Sequence, residues 1–320
     1  MKRRRFLTRV SGCGVAALAG VAESAIPSGA KAAVTTAKKP SRAIDTHTHF
    51  YDPERPEGVP WPREGTALFR TVLPDHWSEE AEPCGVGETV VVEASPWVED
   101  NQWILDLAEE DARIVGLVGN LDPLGEDFAA QVRRFAPHPV FCGLRWRANL
   151  VDLGSERERL FDAARLMADH DLSLDLNGPP SILRGAVEVA DTVPGLRIVI
   201  NHLGGPGDPS APSAEWSEVM GELSARPSVF MKVSGLVEQV RGEPGAAPAE
   251  TDHYRPVLDA IWEFFGEDRV IFGSNWPVSD RGAPYATLYR IVEEYFAEKG
   301  EVALDKYFWR NSLDAYRWSG

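Results

Sequence analysis

His47 and His49 stand two residues apart in the stretch Ala43-Ile44-Asp45-Thr46-His47-Thr48-His49-Phe50. On a strand, alternate side chains share a face, so the two imidazoles lie side by side, with Asp45 on the same face. Neutral imidazole is a common ligand of zinc and similar ions, and a group of such rings also polarises a carbonyl without a metal. The stretch is therefore half of a metal site, half of an oxyanion clamp, or a chance pairing on an exposed edge. A third histidine, His202, closes the apolar run Ile198-Val199-Ile200-Asn201. Other apolar runs also end in polar residues: Glu93 and Ser95, Arg145 and Arg147, Asp175 and Asn177, Lys232 and Ser234, and Gly273-Ser274-Asn275-Trp276-Pro277. Buried polar groups must be paired or solvated, so polar residues concentrated at strand ends point to use.

These strand ends belong to eight short β-branched or apolar runs, at 43–49, 88–95, 113–122, 141–147, 172–177, 197–203, 229–235 and 269–277. Gly, Pro or Asn bounds each, and several are the continuous apolar runs that a sheet buried on both faces requires. Helical periodicity lies between them at 101–112, 156–170, 180–193, 214–226, 253–265 and 285–299. In the second of these, Leu160, Ala163, Ala164 and Met167 recur at helical spacing. A strand followed by a helix, eight times over, predicts an α/β fold, a (β/α)8 TIM barrel. An open doubly wound sheet is the alternative, but no G-x-G-x-x-G follows the first strand. Barrel chemistry sits at the C-terminal ends of the strands, where the long connections 51–65 and 237–252 also lie. The amphipathic stretch 301–318 predicts a C-terminal helical cap on the outside of the barrel.

Composition bounds the rest. The chain has 320 residues, 43% hydrophobic and 26% charged, which fits a soluble globular body with ample core. Residues 1–32 read as something else. Lys2-Arg3-Arg4-Arg5-Phe6-Leu7 is a basic segment with consecutive arginines, a short apolar run follows from Ser11 to Ala22, and Ala30-Lys31-Ala32 offers a cleavage site. This is the pattern of a twin-arginine-type signal peptide, too short to anchor in a bilayer, and predicts export to the periplasm. Residues 33–42 read as a linker and 43–320 as one domain. Six basic residues and one acidic residue fall in 1–32, which takes the formal net charge from −16 to −21 for the remainder. So acidic a body repels nucleic acid and anionic lipid, leaving a small-molecule substrate as the expected partner and no membrane anchor after processing. The oligomeric state is not encoded here. Cys84 and Cys142, the two cysteines beyond the leader, are too few for a disulfide scaffold and lack zinc-ligand spacing.

Asp45-Thr46-His47-Thr48-His49-Phe50, Gly143-Leu144-Arg145, Asn201-His202-Leu203-Gly204-Gly205-Pro206, Lys232-Val233-Ser234-Gly235-Leu236 and Phe272-Gly273-Ser274-Asn275-Trp276-Pro277-Val278 follow one another in an order that resembles the amidohydrolase superfamily. The likeness is strongest to its sugar-lactone and pyrone-dicarboxylate lactonases, and it covers about residues 43–318. It implies a barrel that opens a lactone by water attack, with His47, His49 and His202 facing the scissile carbonyl, directly or as ligands of one divalent ion such as Zn2+ or Mn2+. Arg145, Arg147, Asp175, Lys232 and Trp276 are the expected substrate contacts, although for Lys232 an ion pair with Asp175 is the preferred reading. The pattern departs at Asn275, where the family usually has an aspartate that takes a proton from water. An amide does not act as that base at neutral pH, so Glu93 is the expected substitute, with Asp175 or a metal-bound hydroxide behind it. Decarboxylases of related barrels and a ligand-binding barrel without turnover are the two rival readings, the second favoured by Asn275.

Overall fold

The computed structural model describes residues 39–146 and 154–318. The signal peptide expected at 1–32, most of the linker and Arg147 lie outside the described residues. The linker ends earlier than expected, because Ser41 and Arg42 are tied to the body. Ser41 donates its amide and hydroxyl to the two carboxylate oxygens of Asp305, both at 2.8 Å, and Arg42 forks onto Glu88 at 2.6 and 2.5 Å.

Eight parallel strands run in sequence order: β1 Ile44–Thr48, β2 Glu88–Val92, β3 Ile114–Gly119, β4 Phe141–Trp146, β5 Ser173–Leu176, β6 Ile198–Ile200, β7 Val229–Val233 and β8 Val270–Phe272. Helices follow them in alternation: α1 Pro74–Ala81, α2 Val98–Glu110, α3 Phe128–Phe135, α4 Arg157–Asp169, α5 Pro180–Thr192, α6 Ala214–Ser224, α7 Thr251–Phe265 and α8 Tyr285–Glu298. This is the expected (β/α)8 barrel. The ring closes between β1 and β8 at their upper ends, where Asn275 donates its amide to the His47 carbonyl at 2.8 Å and His49 donates to the Trp276 carbonyl at 3.0 Å. The closing bonds are thus made by the residues that carry the candidate chemistry.

Strict alternation fails in β1. Its register against β2 shifts between Asp45 and Thr48, which separates Asp45 from the histidines. The Asp45 carboxylate instead accepts the amides of Ser274 and His47, at 2.8 and 3.1 Å, and the Tyr285 hydroxyl of α8 at 3.1 Å. Asp45 therefore stitches β1 to β8 and α8.

The C-terminal stretch forms the expected helical cap, but not wholly on the outside. Its elements are α9 Glu301–Asp305, a π-helical segment Lys306–Arg310 and α10 Asn311–Tyr316. The first part does lie on the outside, with the Tyr307 ring stacked on Phe296 of α8. The end belongs to the barrel interior, where Ala315, Tyr316 and Trp318 pack with Ile44, Val90, Val118, Val199 and Ile271. The inward residues are mostly small β-branched side chains on strands as short as three residues, and they leave a floor that these aromatics fill. Tyr316 donates its hydroxyl to Asp175 at 2.9 Å.

Candidate active site

His47 is fully buried, and neither ring nitrogen has a hydrogen-bond partner. A Cβ at Gly273 would lie 2.8 Å from that of His47, so a residue without a side chain is what lets β8 close against it. His202 arrives differently. After β6 the chain makes a left-handed turn in which His202, Leu203, Gly204 and Gly205 have φ of 53°, 57°, 68° and 68°. Left-handed geometry costs a residue with a side chain roughly 1–2 kcal/mol, and it persists where neighbours over-determine it, often at functional sites. Here the neighbours are Ser234, whose hydroxyl accepts the His202 amide at 3.1 Å and meets Nδ1 of the ring at 3.0 Å, and Gln239, which donates to the His202 carbonyl at 3.1 Å. Ser234 keeps a second lone pair as well as its own proton, so either it or Nδ1 donates; in the tautomer where the hydroxyl proton goes to Nδ1, the ring carries its hydrogen on Nε2. The His47 ring centre lies 5.0 Å from that of His49 and 4.6 Å from that of His202.

All three rings are held neutral. Burial and the Lys232 ammonium push His47 well below its ordinary value; burial and Arg145 push His49 to about 4; burial and the neighbouring His49 push His202 to about 3. Lys232 and Arg145 act on each of the three.

His49 places a constraint on its neighbours. Its Nδ1 lies 2.6 Å from the Val92 carbonyl, which only accepts, so Nδ1 carries the proton and a neutral ring has a lone pair at Nε2. Asn275, itself at φ 66°, sets its side-chain oxygen 3.1 Å from Nε2 and donates its NH2 to Glu238 at 2.7 Å. Two acceptors then face each other. Turning the carboxamide end for end removes that conflict if Glu238 is protonated: NH2 donates to Nε2 and the amide oxygen accepts from the Glu238 carboxyl. Burial raises Glu238 to about 7 and so favours this form, while its second oxygen is buried without a partner.

Glu238 was not among the residues expected from sequence. It lies in a short 3-10 turn, Val237–Gln239, where no periodicity marks it. The only available signal was its position just after strand seven, in a long connection over the barrel mouth. Glu93 is where it was expected, just above β2. Burial raises it to about 7, while the Ser95 amide, 2.6 Å from its Oε1, opposes the shift. Arg145 donates to the Glu93 carbonyl at 2.5 Å.

Lys232 and Asp175 form the ion pair expected of them, fully buried at 2.9 Å and also engaging Tyr316, so they close on each other inside the barrel rather than on a substrate. Two other expectations change. Trp276 is 2% exposed and packs in the outer core, with its indole nitrogen unpartnered. The histidines meet, but as a metal cage they do not fit. Among the described residues no three His, Cys, Asp or Glu side chains converge as ligands. Both nitrogens of His49 are engaged, and two cationic side chains act on the cluster. Trp61, in the first long connection, covers His49 at 5.6 Å between ring centres.

A profile of the amidohydrolase family matches residues 44–318. An L-fucono-1,5-lactonase of Burkholderia ambifaria is 33% identical over 285 residues, covering 86% of this chain and 95% of its own. Another, from Burkholderia multivorans, is 28% identical and covers 83% and 92%. Among solved structures, an amidohydrolase of Burkholderia multivorans with bound zinc has a TM-score of 0.77 at 24% identity, over 87% of this chain and 100% of that one. A probable 2-pyrone-4,6-dicarboxylic acid hydrolase of Acinetobacter baumannii, with citric acid bound, has a TM-score of 0.70 at 17% identity, over 87% and 100%. The two structural likenesses show the fold, and the sequence match, running from the first strand to Trp318, shows that this chain belongs to the amidohydrolase family of hydrolases.

Proposed function

We propose that the protein hydrolyses a sugar-acid lactone. The observation that carries this reading is the cluster of three neutral imidazoles, one of them, His47, with both nitrogens buried and unpartnered. Such a site suits an uncharged carbonyl that becomes an oxyanion. The lactone carbonyl oxygen accepts hydrogen bonds from His47 and from Nε2 of His202, and the nearby Lys232 and Arg145 charges favour the negative charge that develops. His49 does not donate to substrate, because its one proton is held by Val92. It fixes Asn275 instead.

Glu238 is the proposed base. With its carboxyl near 7, it is ionised in a large share of molecules at neutral pH and takes a proton from water as the oxygen attacks the carbonyl carbon. The tetrahedral intermediate collapses with cleavage of the ring C–O bond, and the Glu238 carboxyl returns its proton to the leaving alkoxide, giving an open hydroxy acid. The usual acid at position 275 is thereby replaced by a carboxyl one hydrogen bond further out. The curated L-fucono-1,5-lactonases support a deoxy-hexonolactone as the first substrate to try.

The test is turnover of an aldonolactone panel by purified protein, followed with a pH indicator, with and without chelator and beside metal analysis. Hydrolysis that survives chelation and drops at least a hundredfold in His47→Ala and His202→Ala is expected. No turnover of any lactone overturns the reading. One ion per chain with chelator-sensitive turnover would replace direct polarisation by a metal-assisted route. We also propose export to the periplasm, supported by the twin-arginine pattern of residues 1–32; cell fractionation after Arg3→Lys, Arg4→Lys and Arg5→Lys together tests it, with retention in the cytoplasm expected.

A further inference from the structure

Beside the N-terminal half of α2, the first long connection leaves an open cleft of about 740 Å3. Glu57, Trp97, Gln102, Trp103 and Asp106 are among its walls. Trp97 is 39% exposed, one of three large apolar side chains at the surface among the described residues. Inward, the cleft meets a constriction with room for about one water, and the two share Arg55, Asp100 and Trp103. The far wall of the constriction is Glu93, Ser95 and the Trp61 that covers His49. The cleft therefore neighbours the constriction, which reaches the imidazole cluster only through Trp61; among the described residues no histidine is in the walls of either.

The lining selects among ligands. An anion is disfavoured by the carboxylates, and the arginines nearby are already committed, Arg55 to Asp100 and Arg134 to Glu99, each at 2.7 Å. A wholly apolar chain would desolvate the carboxylates of Glu57 and Asp106, the second of which accepts, among the described residues, only the Gln102 amide at 2.8 Å, and so is disfavoured. A cation competes with the Arg55 guanidinium, which already covers the Trp103 ring at 4.4 Å. What remains is a neutral ligand with an apolar face for indole and many hydroxyl donors for carboxylates and an amide.

We propose that this cleft is a saccharide subsite holding a neutral sugar attached to the lactone. On the lactonase reading, on which this rests, the preferred substrate is an aldonolactone still glycosidically linked to at least one further sugar unit. Trp97 stacks on the face of that second sugar, while Glu57, Gln102 and Asp106 take its hydroxyls.

The test compares kcat/KM for glucono-1,5-lactone with that for cellobiono- and maltobiono-1,5-lactone, in wild type and Trp97→Ala. A preference of at least tenfold for one disaccharide lactone is expected, and Trp97→Ala should reduce that ratio at least tenfold. Equal kcat/KM for mono- and disaccharide lactones in the wild type overturns the proposal, as does a Trp97→Ala variant that lowers both alike. If no lactone is hydrolysed, titration of cellotriose and maltotriose against tryptophan fluorescence separates the two ideas. Quenching that disappears in Trp97→Ala keeps the saccharide cleft while the lactonase reading falls. No binding of either sugar overturns the cleft as well.

Discussion

Asn275 has the shape of an aspartate without its basicity, and Glu238, which its side chain meets at 2.7 Å, is the proposed substitute. Activity should therefore rise with pH through about 7, as Glu238 loses its proton, and Glu238→Gln should abolish that limb and lower kcat at least a hundredfold. Glu93, also near 7, is the competing base; Glu93→Gln keeping the pH limb while Glu238→Gln loses it is the expected outcome, and the reverse would reassign the role. The same shift has a stability sign. A carboxyl raised on folding is ionised in the unfolded chain first, so it lowers stability as pH rises from about 4.5 to 7. Glu238→Gln should melt above wild type at pH 8, by roughly 1–3 kcal/mol, and level with it near pH 4.5. Gly235 gives a steric test. At φ 61° its Cβ would sit 2.9 Å from Nδ1 of His202, so Gly235→Ala should displace that ring and cost both activity and roughly 1–3 kcal/mol of stability, read by turnover and thermal melting.

At the scale of elements, α10 and the residues after it close the floor of the barrel, with Ala315, Tyr316 and Trp318 joining its interior cluster. Tyr316→Phe removes a hydrogen bond to a buried charged partner and should destabilise by about 1.5–3 kcal/mol in chemical denaturation, while a chain ending at residue 310 should fail to fold. The sequence shows why some elements are legible and this one less so. Repeated short runs and 3.6-residue periodicity exposed all eight strands and six helices, whereas α1 and α3 span only eight residues each, two turns, too few for a period to emerge. The amphipathic pattern of 301–318 marks a face to be buried, but not which surface it meets. The bulge in β1 is invisible for a related reason, since alternation in one strand carries no record of register with the next. His47, His49 and His202 were readable because they sit at strand ends. Glu238 and Trp61 come from irregular loops, and only folding brings them near.

The whole molecule is strongly acidic, and that acts on substrates before they reach the mouth. For a neutral lactone kcat/KM should be nearly independent of sodium chloride between 10 and 300 mM, whereas for a lactone bearing a carboxylate it should rise with salt as repulsion is screened. A fall with salt for the charged lactone would indicate a local basic path that the net charge conceals. The two ends of the described body have a separate consequence. Arg42 lies over the ring of Trp318 at 5.0 Å, so the first and last parts of that body touch. In topological terms residues 42–318 are already almost a circle. A few glycines joining residue 318 to residue 42, with a new opening at the exposed turn between Pro194 and Gly195, should give a permuted barrel that keeps its fold and its histidine cluster.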